Sequence, residues 1–223
     1  MKTLLSNLKI AVPEQIYVKD PESSDLGKRI IKHSILLIDE IGFDSFTFKK
    51  LGKLIGSNES SIYRYFESKH KLLLYLSSWY WAWIEYQLVF ETYSLKPKDK
   101  LEKAIEIVTR SVKEDPNYSH INKIALNQIM VNENSKSFLT KEVDQENKDG
   151  YFVIYKRLVH RISEMILENN PKYKFSLSLA STILEGSLHQ HFLKDHFVSI
   201  TDCNAGLTPT EFYKNLVIKT VKS

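Results

Sequence analysis

Mainly apolar residues recur every three or four positions along most of the chain, a spacing that would give each helix one buried face. The clearest run comprises Ile30, Ser34, Leu37 and Ile41. Ser23 and Ser24 precede this run and can cap a helix, whereas Gly42 follows it and can take the left-handed conformation that ends one. We found no strand-like alternation, so the pattern predicts an all-α fold.

Two short helices are predicted after Gly42, joined by a tight turn. Thr47 can cap the first, residues 48–55, and Gly56 closes it. Asn58 can cap the second, residues 59–66. Two helices of about two turns each in this arrangement form a helix-turn-helix.

The remaining pattern is helical up to the C-terminus. Helices are predicted over residues 69–93, 97–113, 119–132, 137–169, 174–196 and from Thr208-Pro209 onward. We therefore expect three segments: a polar arm over residues 1–22, a helix-turn-helix domain over residues 23–72, and a larger helical domain over residues 73–223.

Positive charge is concentrated in the helix-turn-helix segment. Residues 46–71 contain six basic and two acidic side chains, a surplus equal to the net charge of +4 of the whole chain. A local basic patch is typical of phosphate binding, although a charged run can also be an ordinary solvated face.

Composition limits the location of the protein. Cys203 is the single cysteine, which excludes an intramolecular disulfide and suits a reducing compartment. No apolar run approaches the ~20 residues of a membrane span, and polar residues interrupt residues 1–12, so we expect neither a membrane segment nor a secretory signal. These features indicate a cytoplasmic protein.

The helix-turn-helix segment resembles the N-terminal domain of the TetR (tetracycline-repressor-like) family. The matching residues are Ile30, Ile31, Ser34, Leu37, Ile38, Gly42-Phe43-Asp44, Thr47-Phe48, Leu51, Gly56, Ile62-Tyr63, Tyr65-Phe66, Ser68-Lys69 and Leu72. Beyond Tyr93 the resemblance is only architectural. It implies a dimeric, effector-responsive regulator that binds operator DNA through its N-terminal domain.

Candidate DNA contacts are predicted partly from side-chain chemistry and helix faces and partly from the family resemblance. In the second short helix Ile62 and Phe66 would be buried, and Arg64 could form a bidentate contact with guanine. The resemblance gives phosphate contacts to Thr47, Tyr63, Tyr65 and Lys69, with packing or a solvated lysine as the alternative. The full candidate set is Thr47, Asn58, Glu59, Ser60, Ser61, Tyr63, Arg64, Tyr65 and Lys69.

Three residues depart from the family pattern. Gly52 replaces the usual alanine, which we attribute to close helix packing, and Ser57 replaces an apolar turn residue. Glu59 places a carboxylate beside DNA, where it could accept from a cytosine amino group or repel phosphate. The operator sequence therefore stays open.

Aromatic side chains are unusually frequent in the helix after the DNA-binding domain. The candidate ligand-binding residues are Trp79, Trp83, Tyr86, Phe90, Tyr151, Phe152 and Tyr155. They favour an apolar or aromatic small-molecule effector, with ordinary core packing as the alternative. The effector itself stays unidentified.

The resemblance places the last two long helices in a homodimer interface. The candidate interface residues are Leu177, Ala180, Ser181, Leu184, Leu188, Phe212 and Leu216. Dimerisation also suits DNA reading, because one short recognition helix contacts too few bases for useful specificity.

Catalytic and metal-binding motifs are not found. His189, His191 and His196 lack a complementary pair from a second helix, so we expect no metal and no cofactor. The leading hypothesis is a DNA-binding transcriptional regulator, with a repressor released by a hydrophobic effector favoured. The alternative is a small-molecule-binding or protein-interaction module with a degenerate DNA-binding head, and an all-α enzyme is disfavoured.

Overall fold

The computed structural model describes residues 10–112, 120–204 and 206–222. In these residues all regular secondary structure is helical, which confirms the all-α fold class. The α-helices are α1 (Asp25–Ser45), α2 (Phe48–Ile55), α3 (Glu59–Tyr63), α4 (Lys69–Thr92), α5 (Pro97–Thr109), α6 (Lys123–Glu133), α7 (Val143–Lys148), α8 (Val153–Asn169), α9 (Ser176–His196) and α10 (Pro209–Lys222). Four 3-10 turns lie at Glu14–Ile16, Pro21–Ser23, Asn134–Ser137 and Val198–Ile200.

The predicted caps of the first three helices are present. Ser24, Thr47 and Asn58 each accept a hydrogen bond from a backbone N–H of the helix that follows. Gly56 ends α2 in the left-handed conformation, with φ of 62°. Gly42, with φ of 74° and ψ of 157°, has a non-helical backbone that interrupts α1, and a short helical turn follows it as far as Ser45.

The predicted long helix over residues 137–169 is wrong. The chain instead forms the 3-10 turn Asn134–Ser137, then α7, then α8. Gly150 lies between α7 and α8 with φ of 84°, a conformation that a continuous helix cannot contain. The sequence pattern did not show this break because residues on both sides keep helical spacing.

Other boundaries differ by a few residues from those predicted. The recognition helix α3 ends at Tyr63 rather than Phe66, and α5 ends at Thr109 rather than Lys113. Asn122 caps α6. The predicted cap Ser119 lies outside the described residues.

Contacts divide the chain into two compact units. The first combines Met1–Ala82 with Val112–Ile154, and the second combines Trp83–Ser111 with Tyr155–Ser223. The predicted division at residues 72 and 73 does not coincide with this grouping, because the first unit also includes α6, α7 and the first part of α4.

In the first unit, α1 packs against both α2 and α6. The fully or almost fully buried side chains include Ile30, Ile31, Ile35, Ile38, Leu51, Ile62 and Phe66. Burial of each such side chain contributes about 1.5–3 kcal/mol, so this shared core fixes where α2 and α3 lie.

In the second unit, α5 packs against α9 and α10, which also contact each other. The Tyr213 hydroxyl lies so close to Gly186 that a Cβ atom at this position would overlap it. Burial raises the pKa of Tyr213 to about 12. None of the helices in the described part of the chain combines the length and apolar character that a membrane crossing requires.

Candidate nucleic-acid interface

The helix-turn-helix consists of α2, a turn at residues 56–58, and α3. Ile62 and Phe66 are completely buried, whereas Ser60, Tyr63 and Arg64 are exposed. This division of faces agrees with the one predicted from the sequence. Because α3 has one face in the core, the other is available for a DNA groove.

Gly52 sets the distance between α2 and the turn. A Cβ atom on Gly52 would lie 2.8 Å from the carbonyl oxygen of Ser57, which belongs to the backbone and cannot swing aside. The Ser57 N–H also donates to the Gly52 carbonyl at 2.9 Å. Close packing is therefore the reason for glycine here.

Asn58 organises the start of the recognition helix. Its carboxamide oxygen accepts from the Ser61 N–H at 2.8 Å and from the Ser60 hydroxyl at 3.0 Å. Asn58 and Ser60 are exposed and Ser61 is half-buried. These three candidate DNA contacts thus lie together at the N-terminus of α3, with their polar groups engaged in capping.

Glu59 and Arg64 differ in their partners. The Tyr63 ring packs edge-on against Phe48, and its hydroxyl donates to Glu59 Oε1 at 3.5 Å. Arg64 is exposed and forms no ion pair with any described residue. Of the candidates in α3 and directly after it, Arg64 is the basic side chain, and it has no ion pair to break within the described part of the chain.

Lys69 has an internal role that the sequence did not predict. Its Nζ donates to the carbonyl oxygens of Phe43, Asp44 and Phe46 at 3.0, 3.1 and 3.3 Å. It also lies over the Phe43 ring, 4.8 Å from the centroid. In this conformation Lys69 stabilises the corner between α1 and α2 rather than pointing to solvent as a phosphate contact would.

Tyr65 is another expected phosphate contact that the structure places differently. Its side chain is only 3% exposed, and its hydroxyl is hydrogen bonded to the Ser24 hydroxyl at 2.7 Å. It therefore packs inside the first unit in this conformation.

The corner at residues 43–46 is held from α6 as well. Glu133 Oε1 accepts from the Phe43 N–H at 3.0 Å, and Lys136 pairs with both Asp44 and Glu133. The hydrogen bond from Lys136 lowers the pKa of Asp44. Thr47 follows this corner directly and remains exposed. Nothing in the local sequence pattern could reveal contacts between residues so far apart.

Basic side chains surround the exposed face of the helix-turn-helix. Lys49, Lys50 and Lys53 on α2 are exposed, as is Arg64, whereas Glu59 is half-buried. Lys50 Nζ donates to the Ser45 carbonyl at 2.8 Å. Positive charge beside the exposed face of α3 would attract the phosphates that flank a DNA groove.

Comparison with known proteins identifies this domain. Residues 30–76 match the family described as bacterial regulatory proteins, tetR family. Residues 30–76 therefore form a DNA-binding domain of the TetR type. The match spans most of α1, the helix-turn-helix and the start of α4, so it assigns the DNA-binding domain of the chain.

Solved structures of TetR-family regulators share the fold. The chain is similar to AibR in complex with isovaleryl coenzyme A and operator DNA, at 15% identity and a TM-score of 0.56 over 85% of this chain and 96% of that one. A TetR-family transcriptional regulator from Bordetella parapertussis 12822 shows 12% identity and a TM-score of 0.52, covering 89% and 93%. The fatty acid degradation regulator FadR from Bacillus halodurans shows 14% and 0.52, covering 86% and 96%. No curated protein matches the sequence.

The candidate ligand-binding residues of this chain are divided between the two units. Trp79, Tyr151 and Phe152 belong to the first, and the other four belong to the second. Trp79, Trp83 and Tyr151 are buried, whereas Phe90 is 53% exposed and stacks on Tyr86. Burial and a hydrogen bond to Glu185 raise the pKa of Tyr155.

A cavity that the sequence did not predict lies within the second unit. Its volume is about 350 Å³, and its walls come from α5, α10 and the end of α8. The apolar part is formed by Leu101, Ile218 and Val221, and the charged part by Lys98, Glu102 and Lys222. None of the seven aromatic candidates contributes to its lining.

The predicted dimer residues fall into two groups. Leu177, Phe212 and Leu216 are exposed at 48%, 45% and 36%, and Ser181 is half-buried. Ala180, Leu184 and Leu188 are buried inside the second unit and pack in its own core. Only the exposed members are available to a partner without rearrangement, a distinction that helical spacing did not reveal.

The histidines of α9 do not assemble a metal site with other described residues, among which no group of three or more His, Cys, Asp or Glu side chains could hold an ion. His191 is instead hydrogen bonded through Nε2 to the Thr109 carbonyl at 2.8 Å.

Proposed function

We propose that this regulator is a repressor that binds a near-palindromic operator as a two-fold dimer and is released by a small hydrophobic effector. The observation that carries the DNA part is the exposed face of α3 with basic side chains of α2 beside it, followed by Arg64, which forms no ion pair with a described residue. One five-residue recognition helix reads few base pairs, so a second copy is needed for specificity.

The effector class is supported by the neighbours and by composition. AibR is bound to isovaleryl coenzyme A, and the Bacillus halodurans protein is a fatty acid degradation regulator. The aromatic side chains of α4 and those at and just before the start of α8 suit an apolar ligand of this kind. We therefore propose an acyl compound, either free or carried on coenzyme A.

Release from DNA requires that the effector bind the DNA-incompetent arrangement more tightly than the DNA-bound one. A ligand with equal affinity for both would shift nothing, however tightly it binds. The coupling also acts in reverse, so operator DNA must weaken effector binding by the same factor.

Selection of bound fragments from genomic DNA tests the DNA part of the proposal. We expect a recovered sequence with two-fold symmetry and a steep decrease of log affinity with log salt concentration. The Arg64→Ala variant should bind the recovered site about 5- to 150-fold more weakly, equivalent to ~1–3 kcal/mol, with relaxed preference at one base pair. Binding without sequence preference would instead indicate a degenerate head.

Tryptophan fluorescence tests the effector part. Isovaleryl coenzyme A, longer acyl-coenzyme A esters and free fatty acids are titrated, with coenzyme A alone as the control. We expect one class to change the emission and to release operator DNA at matching concentrations. Ligand binding that leaves operator affinity unchanged would contradict the repressor mechanism.

A further inference from the structure

Residues 10–24 form a strap packed on the DNA-binding domain, whereas the sequence alone left packing, DNA contact and disorder open for the polar arm. Ile10 and Ile16 are 6% and 1% exposed, and Pro21 is buried. Pro21 lies against Gly27 of α1, where any side chain would overlap its backbone. The strap is therefore part of the folded unit.

The strap reaches the end of the recognition helix. The Val18 N–H donates to the Tyr65 carbonyl at 2.9 Å, and Ser24 is hydrogen bonded to the Tyr65 hydroxyl at 2.7 Å. Tyr65 follows α3 almost directly, and its own N–H donates to the Ile62 carbonyl. The strap thus holds Tyr65 through both its backbone carbonyl and its side-chain hydroxyl.

Lys19 places a positive charge beside the same residue, Tyr65. Its Nζ lies 5.3 Å from the centroid of the Tyr65 ring, and the side chain is exposed. It forms no ion pair with any residue that the structure describes. The ammonium group therefore stays available beside Tyr65, the residue that directly follows Arg64 in the chain.

Two further contacts hold the strap against residues outside α3. Glu22 pairs with His120 at 2.8 Å, and Tyr17 packs edge-on against Tyr75 of α4 at 6.0 Å between ring centroids. The Asp20 side chain accepts from the Glu22 N–H at 2.9 Å and so shapes the intervening turn. Because the strap is held at Tyr17 and at Glu22, its contacts can keep Tyr65 in one position.

We propose that the strap is a functional part of the DNA-reading surface: it positions the end of the recognition helix through Tyr65 and presents Lys19 to a DNA phosphate. A helix of five residues has too few internal hydrogen bonds to define its own orientation, which must come from tertiary contacts. This inference rests on the DNA-binding role but not on the effector, the repressor mechanism or the dimer.

The Lys19→Gln variant tests the phosphate contact on duplex DNA of arbitrary sequence, so the operator is not needed. We expect the slope of log affinity against log salt to decrease by about one per bound chain. The control is Lys172→Gln, which removes the same charge from an exposed site in the second unit. An unchanged slope for Lys19→Gln would overturn this part.

The Tyr65→Phe variant tests positioning, because it removes the hydroxyl that meets Ser24 and keeps the ring. Loss of one hydrogen bond should weaken operator binding about three- to tenfold and leave affinity for arbitrary duplex unchanged. A folding defect would weaken both. Tyr173→Phe in the second unit is the control for hydroxyl removal.

Hydrogen exchange on the free protein gives a readout that does not depend on DNA. In Tyr65→Phe, the backbone amides of residues 61–66 should exchange faster, while those of α9 should not change. If exchange at residues 61–66 stays as in the wild type, the strap does not position α3. Faster exchange with unchanged operator affinity would likewise overturn its role in DNA reading.

Discussion

The Lys69 ammonium group has three hydrogens and three backbone carbonyl partners, so its donor capacity is fully used in the free protein. These carbonyls belong to the corner between α1 and α2, which precedes the Thr47 cap. Together with Glu133 and Lys136, this side chain of α4 fixes the direction in which the helix-turn-helix begins. The sequence motif predicted that Lys69 matters, but it could not distinguish a phosphate contact from this internal role.

Replacing Lys69 with methionine should therefore destabilise the protein in the absence of DNA. We expect the free energy of unfolding to decrease by about 1–3 kcal/mol, because the partly buried carbonyls lose a charged donor. Urea denaturation measures the change, and Lys49→Met on the exposed side of α2 is the control. Equal stability of the two variants would mean that Lys69 acts only on phosphate.

At the scale of elements, short-range chemistry made the helix-turn-helix predictable. Caps and left-handed glycines act within three or four residues, so Thr47, Gly56 and Asn58 could be assigned from the sequence. The packing of the strap could not be predicted, because it depends on partners distant in the chain. The break at Gly150 could not be predicted either, because this glycine lies in an otherwise helical pattern.

The Gly52→Ala variant tests the close approach of α2 and the turn. Alanine gains up to about 1 kcal/mol of helix propensity, but the overlap with the Ser57 carbonyl costs roughly 1–3 kcal/mol. We expect a net loss of about 1 kcal/mol in thermal or urea denaturation. Lys53→Ala, in the same helix but exposed, should change stability little; a Gly52→Ala variant as stable as the wild type would contradict the packing argument.

At the scale of the whole molecule, a buried carboxylate with basic partners joins helices in the second unit. In the second unit, Glu85 is 6% exposed and accepts from Arg157 Nε and Nη2 and from Arg161 Nε, at 2.5–2.6 Å. Burial opposes its ionisation, but the two guanidinium groups outweigh this effect and lower the pKa of Glu85. The charged carboxylate thus joins α4 to α8.

Stability should depend on pH through this carboxylate. Because the folded-state pKa of Glu85 is lowered, its contribution is complete above the ordinary glutamate pKa of about 4.3 and is lost as the pH falls through the lower folded value. Glu85→Gln should be about 1–3 kcal/mol less stable than the wild type at pH 7, with the difference disappearing in acid. The exposed Glu164→Gln control should show neither effect.

The proposed dimer can be tested on the exposed apolar side chains of α10. Phe212→Glu should give a monomer in light scattering at micromolar concentration, because a charge would be buried without a partner. Leu139→Glu, at a 75% exposed site in the first unit, should leave the oligomeric state unchanged. A monomeric wild type would refute the dimer itself.

The DNA-binding domain also has a consequence for synthesis on the ribosome. Its strap is anchored by His120 and its corner by Glu133, residues that emerge long after the helix-turn-helix has been translated. Domains generally fold as units once their parts are available. The nascent chain therefore lacks two of the contacts that hold its helix-turn-helix domain until residues 120–133 have left the exit tunnel.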